Sequence, residues 1–409
     1  MQQLSGTRNE LFSDRSLNVI EPKTMKITSD FYGGSIEIIN CRVDAPITLR
    51  LRRDPQTRFA QSFYFGLSDC TLPCTITIED VDQSSFPKGW NNYQAFASHD
   101  QKDWSRCETQ YQDGNLLISH KPSDKTTYYA YFPPYLDTHH SALLDFCRHD
   151  PRTKVETLCA SSDTDTVELI SVGCESANAP RIWILARQHP GETQPSWWME
   201  GFVRLLLDPQ NQASLHLLTQ ARFQIIPNMN PDGSRIGNYR TNIHGQNLNA
   251  SWDRATLSET PAVYCVIKAM ETFGVDLCLD IHGDEEIPYV FIASVDRKLP
   301  LPPKIIAKLD LFERQLCKAD PFYKRQALER EHIKAMPAAF CAPYLMKRFN
   351  IPAVTLELPF RRYNADGFSA QDYGINECMR SGRIAISILL KYLDEQKKKV
   401  PEAYTDWIS

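Results

Sequence analysis

RIWILARQHPGE, residues 181–192, is where the architecture of this chain can be read. Its first half, Arg181 to Ala186, carries apolar side chains at every position after the arginine. A strand with one wet face alternates apolar and polar residues, whereas an unbroken apolar run suits a strand covered on both faces, as in a parallel sheet. Pro190 and Gly191 then force a turn. Beyond it, Trp198, Phe202, Leu205 and Leu206 recur at helical spacing and predict a helix over 195–207. Working outward, strands are expected at 223–227, 275–281, 289–293 and 353–358. A helix is expected at 262–273, with Val263, Val266, Ile267, Met270 and Phe273 on one stripe and Gly274 as its stop. A last helix covers 379–395, with Ile384, Ile388, Leu389 and Tyr392 inward. Strands alternating with helices imply an α/β domain over 134–402, built on a mixed, mostly parallel central sheet flanked by helices.

Upstream the period changes. From 26 to 133 short runs such as SIEII (35–39), ITLRL (47–51), SFYFG (62–66), TITIE (75–79) and TTYYAYF (126–132) are separated by Gly, Pro, Asn and Asp clusters. They predict a smaller all-β, sandwich-like domain. Pro133-Pro134 marks its boundary, and residues 1–25 read as a mobile polar tail. With 409 residues and 42% apolar composition the chain can fill one large domain or two unequal ones. A formal net charge of −5 argues against a general nucleic-acid binder. No apolar run approaches the ~20 residues of a membrane span, and the N-terminus lacks the apolar core of a secretory signal. The twelve cysteines are scattered, so free thiols and a cytoplasmic location are expected.

Four segments place ligand-type residues where strands should end, which is where α/β sheets gather their active groups. His189 and Glu192 are three apart in QHPGE, close enough for both to reach one ion, and imidazole nitrogen and carboxylate oxygen are normal zinc donors. His282, in DIHGD, offers a second imidazole, and two His with one Glu leave the fourth zinc position open for water. Glu357, in TLEL, is a carboxylate inside an apolar strand, costly unless it works, and a candidate general base. NPDG (230–233), NYR (238–240) and NLNASW (247–252) follow another strand, and Arg240 brings a fixed cation with a planar donor fork. Each segment taken singly also fits a surface pair, a turn cap, a solvent-facing edge residue or a surface turn. Their joint order within one α/β domain is what points to chemistry.

The ordered set HPGE, NPDG, NYR, NLN-x-x-W, DIHG and TLE resembles the zinc metallocarboxypeptidases of the carboxypeptidase A type. GNYR with the short gap to NLN, together with a β-rich segment carrying Trp104 and YYAYFPPY (128–135), is similar to the cytosolic carboxypeptidase subfamily. The resemblance implies one Zn²⁺ per chain on His189, Glu192 and His282, with Glu357 as general base. It implies that Arg240 polarises the scissile carbonyl and that Asn249 meets the substrate's terminal carboxylate. Asn247 would orient the first zinc histidine, and Tyr344 is the nearest candidate for the family's catalytic tyrosine. The implied substrate is the C-terminal tail of a peptide or protein, acidic or branched tails included, with no nucleic acid and no membrane involved; the oligomeric state is left open.

One departure stands out. Where the family has an arginine that clamps the substrate carboxylate, this chain has Ala250, which cannot pair a charge. Arg235, Arg254, Arg361 and Arg362 are the alternative anchors. The gap keeps two other readings open: a zinc amidohydrolase or deacylase acting on small acylated amino acids, and a non-hydrolytic zinc protein that binds tails. The β domain shows no evident catalytic residue and is expected to act as a wall beside the site.

Overall fold

The computed structural model describes residues 25–42, 46–70, 72–122, 125–162, 164–293, 301–325, 337–364 and 370–397. The expected tail, apart from Met25, lies outside them. The N-terminal part contains β1 (Lys26–Thr28), β2 (Glu37–Asn40), β3 (Ile47–Arg50), β4 (Tyr64–Ser68), β5 (Cys74–Glu79), β6 (Phe96–Ser98), β7 (Ser105–Arg106), β8 (Glu108–Gln112), β9 (Asn115–His120) and β10 (Thr127–Ala130). They form two five-stranded sheets, ordered β1-β4-β10-β6-β7 and β2-β3-β5-β9-β8. Alternation is the reason they fold this way. Leu49, Ile76, Ile78, Leu116 and Ile118 of one sheet and Phe65, Phe96 and Tyr129 of the other are buried in one common core.

The rest of the chain builds α1 (Asp137–His149), β11 (Thr153–Ala160), β12 (Thr166–Gly173), β13 (Arg181–Ala186), α2 (Gln194–Leu206), α3 (Gln212–Gln220), β14 (Arg222–Ile226), α4 (Pro231–Ile236) and α5 (Pro261–Phe273). β15 (Leu277–Asp284), β16 (Phe291–Ala293), α6 (Pro303–Ala319), α7 (Cys341–Phe349), β17 (Ala353–Pro359) and α8 (Ile375–Lys397) complete it. One seven-stranded sheet runs β11-β12-β14-β13-β15-β17-β16. Its four central strands are parallel and its edges antiparallel, so the sheet is mixed around a parallel centre.

Both faces are covered, as the apolar run of β13 required. Ile182, Ile184 and Ala186 face the core shared with α2, α3 and α8, while Trp183 and Leu185 face the core under α5 and α7. Full burial of a side chain the size of Ile or Leu is worth about 1.5–3 kcal/mol. The α2 and α8 helices touch at two glycines. A Cβ on Gly201 would lie 2.1 Å from the Met379 carbonyl oxygen, and one on Gly382 would lie 2.0 Å from that of Trp198.

One boundary matters for the site. β15 runs on through His282 and Gly283 to Asp284, because its ladder with β17 continues across those polar residues. His282 is therefore a strand residue, set directly opposite Glu357 in the adjacent parallel strand. Among the described residues no helix is long and apolar enough to cross a membrane, and all twelve cysteines are free thiols.

Candidate active site

The turn after β13 is bent back on itself. Arg187 adopts a left-handed backbone (φ 64°), a costly state for a non-glycine residue. Its buried guanidinium holds the turn from inside, with Nε donating to the Pro190 carbonyl at 2.7 Å and Nη1 to Ser196 Oγ at 3.1 Å. His189 and Glu192 are thereby carried to the carboxyl edge of the sheet, where His282 arrives on β15. The donor atoms of His189, Glu192 and His282 all lie within 4.8 Å of one another, and all three residues are buried.

Hydrogen bonds settle which nitrogens face inward. His189 Nε2 is 3.0 Å from Asn247 Oδ1, an oxygen that also accepts the Ala250 N–H at 3.3 Å. His282 Nε2 is 3.0 Å from Asp280 Oδ2. Both partners are acceptors, so each Nε2 donates and each ring turns its Nδ1 toward Glu192. Those nitrogens lie 2.6 Å from Oε1 and 3.0 Å from Oε2. Two ring nitrogens and a carboxylate converging in a dry site need positive charge among them, from a proton or a metal ion. Electrostatics say the same. Burial, helped by the nearby Arg240, lowers the His189 pKa to about 4. Burial also opposes charge on His282, but Asp280 and Glu192 outweigh it and hold its pKa well above the usual imidazole range. Burial would raise the Glu192 carboxyl, yet the two histidines keep it far below the usual carboxylate range. The site chemically favours positive charge at this point, and its N₂O donor set fits zinc.

An outer layer of residues holds the ligands. Gln188 Nε2 donates to both oxygens of Asp280 at 2.8 Å, its Oε1 accepts the Trp252 indole N–H at 3.0 Å, and its backbone carbonyl accepts Asn230 Nδ2 at 3.0 Å. The QHPGE, NPDG, NLNASW and DIHGD segments are thus knitted into one network. The sequence reading assigned no role to Gln188, Asp280, Asn230 or Trp252. Their long-range bonds leave no local signature.

Glu357 sits on the same sheet face as His282. The residue is half-buried, but its Oε2 is closed to water and has no hydrogen-bond partner. Burial, with Glu192, Asp284 and Asp280 nearby, pushes its pKa well above the ordinary carboxylate value, against the pull of His282. The Arg240 Nη1 lies 3.9 Å from Glu192 Oε1, and its side chain is 13% exposed. The turn carrying it is held by Asp54 of the N-terminal part, whose carboxylate accepts bonds from Tyr239, Arg240 and Thr241. The β domain thus packs against the site's side of the α/β part, and Asp54, Phe59 and Phe86 all reach the Arg240 turn.

Two assigned residues are placed elsewhere. Asn249 is buried, and its Oδ1 accepts the backbone N–H of Cys341 at 3.0 Å, so this oxygen caps the start of α7. The Tyr344 ring lies 6.1 Å from that of Trp252, tilted by 48°, and packs against the core under α5 and α7. Of the alternative anchors, Arg235 bonds Asp165 at 2.9 Å and Arg254 lies on the exposed surface 3.9 Å from Asp253. Arg361 and Arg362, just beyond β17, bond the carbonyls of Asn91 and Ala370 beside a groove between the two parts of the chain.

A cation-demanding His–Glu–His set at the carboxyl edge of an α/β sheet, with an unpaired acid one strand away, is the arrangement of a metal-dependent hydrolase. Comparison with known proteins makes the class specific. Residues 27–132 match the model of the cytosolic carboxypeptidase N-terminal domain, and residues 142–277 match that of zinc carboxypeptidases. A metallo-carboxypeptidase crystal structure from Burkholderia cenocepacia superposes with a TM-score of 0.85 at 31% identity, covering 91% of this chain and 100% of that one. An uncharacterised Zymomonas mobilis protein is 35% identical over 91% of this chain and 97% of its own length. Bovine cytosolic carboxypeptidase 3 is 30% identical over 42% of this chain, a match that spans only 18% of the bovine protein. The chain belongs to the zinc carboxypeptidase family, in its cytosolic carboxypeptidase branch, and is a hydrolase of that class.

Proposed function

We propose that the chain removes the last residue of a peptide tail by hydrolysis, using one Zn²⁺ held by His189, Glu192 and His282. Zinc bound there would supply Lewis acidity, polarising the carbonyl and bringing the pKa of water down toward about 7. Glu357 takes a proton from the attacking water and passes it to the departing amine. The water oxygen joins the carbonyl carbon, the C–N bond breaks, and the reaction balances with one water consumed. Arg240 points its donor fork at the carbonyl and shares the charge that develops on its oxygen. Asn247 and Asp280 keep the two imidazoles in the tautomer that faces the metal.

The observation carrying this reading is the convergence of His189, Glu192 and His282 with Glu357 across from His282, its Oε2 unpaired. The test is to incubate zinc-loaded protein with a C-terminally diverse peptide library and read the products by mass spectrometry. Release of single C-terminal amino acids is expected. Cleavage of small N-acyl amino acids alone would favour the deacylase reading that Ala250 keeps open, and tight peptide binding without products would favour a non-hydrolytic role.

Acidic tails are the substrates we favour. Arg361 and Arg362 follow Glu357 closely in the chain and flank a groove a tail could occupy, and Ala250 leaves the substrate's charge to be met by such residues. Glutamate-ended tails should be cleaved with a lower KM than neutral ones, and Arg362→Gln should narrow that difference; equal KM for both tails would end this part of the proposal.

A further inference from the structure

The turn that carries Arg240 is fixed from outside the α/β part of the chain. Asp54 lies in the connection between β3 and β4 and is 2% exposed. Its Oδ1 accepts the Tyr239 N–H at 2.7 Å. Its Oδ2 accepts the N–H of Arg240 at 2.8 Å, the N–H of Thr241 at 2.8 Å and the Thr241 hydroxyl at 3.0 Å. All four donors are neutral, so this is a buried carboxylate without a cation among these partners, and burial makes its charge costly. Only an acceptor-only group with two oxygens can take four donors at once; an amide would present its own N–H to some of them. The Asp54 loop is itself braced, its N–H donating to the Phe59 carbonyl at 2.8 Å and its carbonyl accepting the Thr57 N–H at 3.2 Å.

The guanidinium of Arg240 is flanked from the same side. Its central carbon lies 5.3 Å from the ring centre of Phe86 and 5.7 Å from that of Phe59, both within cation–π reach. Next in line, the Tyr239 hydroxyl donates to the buried Glu285 at the end of β15. The turn is thus clamped by Asp54 on its backbone, by two N-terminal aromatic rings on its cation, and by Glu285 on its neighbour.

We propose that Asp54 is a positioning residue for hydrolysis: it sets the backbone of residues 239–241 and so aims Arg240, between Phe59 and Phe86, at the substrate carbonyl. The β domain therefore completes the active site and does more than border it. This inference rests on the role proposed above for Arg240.

The test uses the full-length, zinc-loaded protein and a double-mutant cycle. Asp54→Asn keeps the side-chain shape and should lower kcat about 10- to 100-fold, the usual cost of losing a partner that orients a reacting group, with zinc content unchanged. In an Arg240→Ala background the same change should cost almost nothing further, because the group it aims is gone. A purely structural residue would lower both backgrounds by the same factor and would overturn the proposal. So would wild-type kcat in Asp54→Asn beside a slow Arg240→Ala. Full turnover in Arg240→Ala is a different failure, since it removes the Arg240 role itself. If Asp54→Asn does not fold, Phe86→Leu leaves every Asp54 bond in place; it should lower kcat in the wild-type background and be silent in Arg240→Ala, and equal losses in both would again overturn the idea.

Discussion

The metal cluster and the Arg240 turn are two halves of one site, and they are built in opposite ways. His189, Glu192 and His282 come from the ends of β13 and β15, adjacent strands of one sheet, and the residues that orient them, Asn247, Asp280 and Gln188, belong to the same α/β part. Arg240 sits on a loop that Glu285 and the Gly191 N–H hold from the α/β part through Tyr239, but that also depends on Asp54, Phe59 and Phe86, more than 150 residues earlier in the β domain. Metal binding should therefore be a local property of the sheet, and turnover a property of both domains together. Substitutions that separate zinc content from rate put this contrast at risk.

His189→Ala should have the largest effect. It removes one of three donors and leaves the Glu192 carboxylate facing a single imidazole. Stoichiometric zinc and all turnover should be lost, as read by metal analysis after dialysis and by peptide cleavage. Full metal content in this variant would mean that the cluster is not the metal site. Glu357→Gln should keep the zinc and lower kcat by about 10²- to 10⁴-fold, the range for a general base. A metal-loaded Glu357→Gln protein that still turns over at the wild-type rate would take Glu357 out of the reaction. Arg240→Lys should come next, with zinc kept and kcat reduced about 10²- to 10³-fold, because a lysine keeps the charge but loses the planar fork. If it also lost zinc, the two halves would be one unit and the contrast would collapse.

The same contrast explains what could be read from the sequence. The metal half was legible because its signals are local: an apolar run, a Pro-Gly turn, and a His and Glu three apart. Of the long helices, α2, α5 and α8 were legible from their stripes, although α8 begins at Ile375, ahead of its first periodic residues, whereas α1 and α6 were not read. In the other half Arg240 itself was legible from NYR but its anchor was not, since Asp54 and Thr241 are 187 positions apart and a lone Arg-Asp-Pro looks like any loop. NPDG was read as a turn but forms the start of α4. There Asn230 accepts the Gly233 N–H, and buried Asp232 accepts the Ile243 N–H and the Ser161 hydroxyl. Turns and helix starts favour the same residues for the same reason, a side-chain acceptor for free backbone N–H groups. β11 escaped notice because it is an edge strand that is largely exposed. Asn249 and Tyr344 were named from the family resemblance, and the structure adds what each touches. Asn249 Oδ1 caps α7 and the Tyr344 ring lies beside Trp252.

Gly201→Ala should act on the metal half through the fold. The added Cβ would collide with the Met379 carbonyl, so α2 must move away from α8. Overpacking of this kind costs about 1–3 kcal/mol, visible as a lower Tm. Because α2 begins directly after Glu192, zinc affinity should fall with it, while the Asp54 clamp on Arg240 stays intact. A lower Tm with unchanged zinc affinity would show that the HPGE turn is held by Arg187 rather than by the helix.

Glu168→Gln should have the smallest effect and serves as the distant control. Glu168 lies on β12, where His140 of α1 sits 3.2 Å from Oε2 and the Thr166 hydroxyl donates to Oε1 at 2.6 Å. Burial alone would raise its pKa, but these two partners outweigh burial and hold it below the ordinary 4.5. A carboxyl with a depressed folded-state pKa stabilises the fold fully at neutral pH. As pH falls below about 4.5, the unfolded chain takes up the proton first, so that stabilisation shrinks and is gone once the folded pKa is passed. Glu168→Gln should therefore show a small Tm deficit at neutral pH that closes on acidification through this window, with zinc content and kcat unchanged throughout. A deficit that stays constant down to pH values well below 4.5 would mean that the ionised Glu168 carboxylate contributes nothing. A change in kcat at neutral pH would mean that the chemistry draws on the far edge of the sheet as well as on the two halves of the site.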